Sequence, residues 1–161
     1  MQDMLVRLYA LPDLQDALDS CARQGVTVRR ALSPEKTIVC TWVREHFPRW
    51  AAETEAAFSR MPVACFIAVQ EARILGFACY DATHRNFFGP EGVLESARGR
   101  GLGRALLLSA LHAQKAQGYA YSIIGGAGPT EFYARTVGAV AIAGSTPGAY
   151  AGLLGSHTPE A

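Results

Sequence analysis

At 161 residues the chain is long enough for one domain around one sizeable core. Half of its residues are hydrophobic, 18% are charged and the net charge is +1, the profile of an ordinary globular protein. That profile lacks the concentrated basic surface a nucleic-acid partner would demand. No apolar run reaches membrane-spanning length and the N-terminus has no signal-peptide pattern, so no membrane partner and a cytoplasmic location are expected. Cys21, Cys40, Cys65 and Cys79 are scattered, with no CxxC and no His at metal spacing. They are expected to be free, buried thiols, and no metal is expected.

In chain order, Leu5 to Leu11 alternates apolar and polar residues and predicts a strand. Pro12 to Gln24, with Leu14, Ala17, Leu18 and Cys21 at helical spacing, predicts an amphipathic helix ended by Gly25. Val26 to Leu32 is a second strand. Ser33, Pro34 and Glu35 form a helix start, with an N-cap hydroxyl and a proline in the first turn. That helix runs to about His46, and Pro48 separates it from another over Arg49 to Arg60. Cys65 to Ala72 and Arg73 to Asp81 read as a hairpin around Glu71-Ala72. Phe87 to Leu94 is a strand, Leu102 to Gln117 a long helix, Tyr119 to Ile124 a strand, and Glu131 to Ala139 carries a short helix. The glycine-rich tail, Thr146 to Leu154, has room for one short strand. The domain is placed at residues 1–155, with 156–161 expected to be disordered. This order of elements is α/β.

The stretch Arg98-Gly99-Arg100-Gly101-Leu102-Gly103-Arg104 joins a strand to the long helix. Alternate glycines let backbone approach a ligand closely. The first N–H groups of the helix lack internal partners and carry the positive end of its dipole. Three arginines add full charges, and between Ser96 and Thr130 there is no Asp or Glu. Together these features describe a phosphate or pyrophosphate site. A P-loop is excluded because Gly103 is followed by Arg104 and Ala105 rather than Lys-Ser/Thr. A dinucleotide fingerprint from Gly101 fails on Leu106 and on the missing ribose-binding acid near Ile123.

The remaining pattern, Arg98-x-x-Gly101-x-Gly103, resembles the pyrophosphate motif of the GNAT superfamily of acyl-CoA-dependent N-acyltransferases. The likeness extends to the preceding hairpin and to Glu131-Phe132-Tyr133-Ala134-Arg135-Thr136-Val137-Gly138-Ala139, which is similar to the family's "FYxxxGF" block. It covers roughly Ala64 to Ile142. Glu95 stands where the family commonly has Pro, Gly126 where many members have Asn, and Ala139 where Phe is usual. The resemblance implies a mixed, mostly antiparallel sheet flanked by helices on both faces. It also implies acetyl-CoA as acyl donor, and as acceptor a primary amine of a small molecule or peptide. A homodimer stays an open option. A non-catalytic acyl-CoA-binding module is the alternative reading.

On this resemblance the amides of Gly99, Arg100, Gly101, Leu102, Gly103 and Arg104, with the Arg98 side chain, would bind pyrophosphate, and the backbone at Val93 would meet the pantetheine arm. Tyr133 would protonate the leaving sulfur. The general base is less defined: Glu91, Glu95, Asp81 and His84 all lie near the strand that meets the donor. Glu95 ranks first, with a water chain as a substitute. Trp42, Phe47, Trp50 and Phe58 read mainly as core, and Tyr150 as a lining residue of the acceptor pocket.

Overall fold

The computed structural model describes residues 1–154, so the tail assigned to 156–161 lies outside the described residues. Seven strands form one sheet: β1 (Met4–Arg7), β2 (Thr27–Arg30), β3 (Cys65–Gln70), β4 (Arg73–Tyr80), β5 (Phe87–Val93), β6 (Tyr121–Ile124) and β7 (Val140–Ala141). Their order across the sheet is β2-β3-β4-β5-β6-β1-β7. Every neighbouring pair is antiparallel except β5 with β6. Five helices accompany them: α1 (Gln15–Ala22), α2 (Lys36–His46), α3 (Ala51–Ala57), α4 (Leu102–Ala116) and α5 (Thr130–Val137). The expected class, a mostly antiparallel mixed sheet with helices on both faces, is the one observed.

Strand alternation sorts these helices. Gly76 of β4 faces α4, since a Cβ there would lie 3.0 Å from the Leu106 side chain. Its cross-strand partner Val93 shares that face. Phe77 and its partner Gly92 face the other way, towards the segment between α2 and α3. There Trp42, Phe47, Trp50 and Phe77 form one aromatic cluster with ring centroids 5.5–6.3 Å apart. Gly92 is required at its place, because any Cβ would come within 2.9 Å of the Phe47 ring.

Helix α4 is apolar nearly all round because it is covered nearly all round. Leu106, Leu107, Leu108 and Leu111 are all fully buried, between the sheet on one side and α1 on the other. Each contributes about 2 kcal/mol by leaving water. The four cysteines are buried and free. No helix among the described residues is long and apolar enough to cross a membrane.

Several boundaries differ from the sequence reading. β1 stops at Arg7 and gives way to a 3-10 turn over Leu8–Ala10. Ser33–Glu35 is a separate 3-10 turn ahead of α2. The Ser33 hydroxyl caps nothing; instead Glu35 Oε2 accepts the Leu32 N–H at 2.7 Å while also pairing with Arg29. α3 ends at Ala57. The tail holds a 3-10 turn, Gly148–Tyr150, in place of the expected strand, since the backbone reverses at Gly144 and Gly148 with φ of 73° and 57°.

Candidate active site

The site begins where β5 and β6 part. They pair only at Phe87↔Ile123 and Phe88↔Ile124. Beyond that point β5 runs on to Val93 against β4 alone, while β6 ends and the chain turns through Gly125 and Gly126. Pro90 has no N–H to offer a neighbouring strand, in keeping with an unpaired edge. The root of this wedge is pinned by a buried polar network. Ser122 Oγ lies 2.7 Å from Gln114 Oε1 and 3.1 Å from the Asn86 carbonyl, its single hydroxyl hydrogen shared between the two acceptors. Gln114 Nε2 donates to the Phe87 carbonyl at 3.2 Å and to Asp81 Oδ1 at 3.3 Å. Such a network holds its shape because each unmade bond would leave a desolvated group.

After β5 comes a 3-10 turn, Glu95–Ala97, and then the glycine loop. Gly101 has φ of 80° and opens α4 without a side-chain cap. A Cβ at Gly99 or Gly101 would meet nothing within 4 Å, so the loop's outer side is open space. Ala105 N–H closes on the Gly101 carbonyl at 3.1 Å. The N–H groups of Leu102, Gly103 and Arg104 stand ahead of it, in the positions a helix leaves without internal acceptors. The Leu102 side chain itself is buried in the core. Open space, helix-start amides and a loop and helix that carry no acid of their own fit a pyrophosphate group.

The three arginines are not equivalent. Arg98 is exposed and reaches back to the Val93 carbonyl at 3.4 Å. Arg100 is clamped: its guanidinium donates to Gln24 Oε1 at 3.3 Å and Gln70 Oε1 at 3.2 Å, and its carbonyl accepts from Gln24 Nε2 at 3.0 Å. Arg100 thus ties the loop to the end of α1 and to the β3–β4 hairpin. Its charge is met only by neutral amides, so the positive field persists. Arg104 is half-buried with no ion pair among the described residues.

Below the loop stands Glu91. Alternation places it on the same face of β5 as Val93, and both approach Gly103: a Cβ at Gly103 would lie 3.6 Å from Glu91 Oε1 and 3.9 Å from the Val93 side chain. Glu91 as a residue is half-buried, yet its Oε1 is cut off from solvent and has no hydrogen-bond partner among the described residues. Burial pushes the carboxyl up to about 8, with the neighbouring Tyr133 hydroxyl pulling it the other way. Tyr133, on α5, is 7% exposed, with its ring 5.2 Å from Phe132 and 6.2 Å from Phe88. Burial, then the Glu91 charge and the shared hydrogen bond, raise its hydroxyl well above the usual phenol value.

The structure therefore joins Val93, Gly103, Glu91 and Tyr133 at one place. Glu95 is set apart, exposed in the turn beyond β5, where its carbonyl accepts the Arg98 N–H. Asp81 belongs to the network at the wedge root, and His84 is exposed, its ring edge-on to Phe87 with centroids 5.0 Å apart. The Tyr150 hydroxyl occupies the space a Cβ on Gly125 would need, at the tip of β6. The sequence reading ranks Glu95 above Glu91 among the acids flanking the strand. The separating signal was available: Glu91 shares the parity of Val93 inside the strand, whereas Glu95 lies past its end.

A family model described as the acetyltransferase (GNAT) family matches residues 26–138. None of the curated proteins matches the chain. Among solved structures, the glucosamine N-acetyltransferase region, GCN5-related, of a fungal multi-domain GH3 β-N-acetylglucosaminidase is similar, with a TM-score of 0.72 and 14% identity over 88% of this chain and 19% of that one. A GCN5-related N-acetyltransferase from Sphaerobacter thermophilus gives a TM-score of 0.66 and 21% identity over 88% of this chain and 48% of that one. A Drosophila protein gives 0.60 and 13%, over 88% and 47%. The chain thus spans less than half the length of each of these structures, and at such identities the likeness is one of fold.

Proposed function

Because the chain belongs to the GNAT acetyltransferase family, we propose that it transfers an acetyl group from acetyl-CoA to a primary amine of a small molecule or peptide by direct attack. The observation that carries this reading is the Glu91–Tyr133 pair, buried between the glycine loop and the open edge of β5.

Acetyl-CoA would supply an acyl group already activated as a thioester. The N–H groups of Gly99 to Arg104 would bind its pyrophosphate, aided by the Arg98, Arg100 and Arg104 charges. The backbone of Val93 and the unpaired edge of β5 would orient the rest of the donor. Glu91 is the group best suited to take the proton of the attacking amine nitrogen, since a carboxyl near 8 is a far stronger base than one at 4.5 and still ionises near neutral pH. This assigns the base to Glu91 in preference to Glu95, which is exposed and lies apart from Tyr133.

Tyr133 can then return that proton to the sulfur. A phenol raised so far in pKa is a poor acid by itself. Its hydroxyl can pass a proton to sulfur only while regaining one from Glu91, the carboxyl beside it whose charge raises it. The amine nitrogen loses its proton to Glu91 Oε, the Tyr133 hydroxyl releases its own to sulfur, and Glu91 restores the phenol. The electron pair of the broken carbon–sulfur bond goes to sulfur, and no free tyrosinate is needed.

The test is release of free thiol from acetyl-CoA in the presence of a panel of amines, amino acids and peptides. Amine-dependent thiol release with one class of acceptor is expected. Tight acetyl-CoA binding with no thiol release from any acceptor would overturn the catalytic reading in favour of a binding module.

A further inference from the structure

A cavity of about 490 Å³ opens at the far end of the molecule from the glycine loop. Gln117, just past the C-terminal end of α4, lines it, whereas the loop stands at that helix's first residue. Fifteen helical residues rise about 22 Å. β5 likewise starts beside the cavity, next to the Asp81–Asn86 loop, and ends at the glycine loop. The cavity is therefore separate from the acyl-transfer wedge, and its volume lies in the range of small-molecule sites.

Its floor is built and buried. Tyr80 is fully buried, and its hydroxyl accepts Arg30 Nη1 at 2.6 Å and Gln117 Nε2 at 3.2 Å. Asp81 is 7% exposed, with Oδ1 held by the Asn86 N–H at 2.7 Å and by Gln114. Arg60 and Arg85 stand on the walls. Among the described residues neither arginine forms an ion pair, with Asp81 or with any other acid. Besides Arg30, which the Tyr80 hydroxyl and the Val63 carbonyl hold beneath the floor, two cations and one anion line a shared space without closing on each other. Asp81 is kept from swinging to meet them because its carboxylate is anchored by the Asn86 N–H and by Gln114. Beside the charges lies apolar surface, with Met61 84% exposed and Pro62 next to it.

We propose that this cavity binds an α-amino acid with an apolar side chain, its carboxylate between Arg60 and Arg85, its ammonium at Asp81 and its side chain over Met61 and Pro62. A zwitterion satisfies both signs of charge at once. A simple anion would face Asp81, and a simple amine would face two arginines. The geometry matches one ligand carrying both groups on one carbon, because opposite charges are held apart around a single small space.

Calorimetry with three probes tests this. L-leucine carries both charges, L-leucinamide lacks the carboxylate, and 4-methylpentanoate lacks the ammonium. L-leucine should bind with one site per chain, and each truncated probe at least about tenfold more weakly, the loss expected for one charge-assisted contact. The double variant Arg60→Ser/Arg85→Ser alters exposed residues only, so it should melt as the parent does and still lose L-leucine binding. Glu91→Gln should bind L-leucine as the parent does, which separates this cavity from an acceptor site in the wedge, where the amine would sit against that carboxyl. Undetectable L-leucine binding at millimolar concentration would overturn the proposal. So would equal affinity for L-leucinamide, unchanged binding in the arginine variant, or loss of binding in Glu91→Gln.

Discussion

Replacing Glu91 by Gln should stabilise the protein at high pH and cripple it as a catalyst. Below about 4.5 the carboxyl is protonated in both the folded and the unfolded chain, so it contributes no pH dependence there. Between 4.5 and about 8 the unfolded chain releases this proton while the folded chain keeps it. The folded state then holds more protons, and stability falls by about 1.4 kcal/mol per pH unit. The ceiling, reached above pH 8, is about 5 kcal/mol. Glu91 as a residue is half-buried, and solvent screening reduces the effect to roughly 2–3 kcal/mol. In a chain of this size that is roughly 5–10 °C in melting temperature. Gln keeps the shape of protonated Glu and never ionises. Thermal melts without ligand should therefore find wild type and Glu91→Gln together at pH 5, with the variant higher at pH 9. Turnover should fall on the order of a hundredfold or more, and the rise of kcat/KM through about pH 8 should vanish. A melting difference that is the same at both pH values would refute the buried-carboxyl reasoning. Full turnover in Glu91→Gln would refute its role as base.

Two further changes probe the same wedge. Tyr133→Phe keeps the ring packed on Phe88 and Phe132, so acetyl-CoA affinity should change by less than about 1 kcal/mol while turnover drops on the order of a hundredfold; steady-state kinetics beside calorimetry separate the two. Gly101→Val meets no neighbour within 4 Å and acts through its φ of 80° alone. It should cost about 1–2 kcal/mol of stability and remove most acetyl-CoA affinity, which melts and calorimetry would read together, and unchanged affinity would remove the pyrophosphate from this loop.

The elements that sequence reading located well are those whose signal is local. α4 announces itself by its apolar run, the β3–β4 hairpin by two strands around Glu71-Ala72, and the loop by Gly99, Gly101 and Gly103. What it missed depends on distant contacts. The β1 strand was read through Leu11 because alternation continues, but pairing stops at Arg7, where β6 begins. The Ser33 cap failed because Arg29, a neighbour only after β2 has turned, holds Glu35 in the place that bonds Leu32. Glu95 ranks above Glu91 in sequence because it stands next to the loop, whereas the fold brings Glu91 up to Gly103 and leaves Glu95 exposed. The clamp on Arg100 joins residues 76 and 30 positions away, and nothing in the local pattern announces Gln24 or Gln70 as its partners.

The placement of β1 has a consequence for how the molecule comes into being. Met4 pairs with Ile124 on one side and Ala141 on the other, so the first strand of this sheet is held by its last two. Contacts spanning this much chain carry a large loop-closure cost and form late. β2 to β5 with α4 can assemble from neighbours in sequence, whereas β6, the wall opposite β5, gains its outer partner only when the N-terminal strand returns. On the ribosome, the half that would hold the acyl donor can therefore fold while the wedge is still one-sided. Competence for the proposed transfer would wait until residue 141 has emerged and β1 has been sealed between its partners.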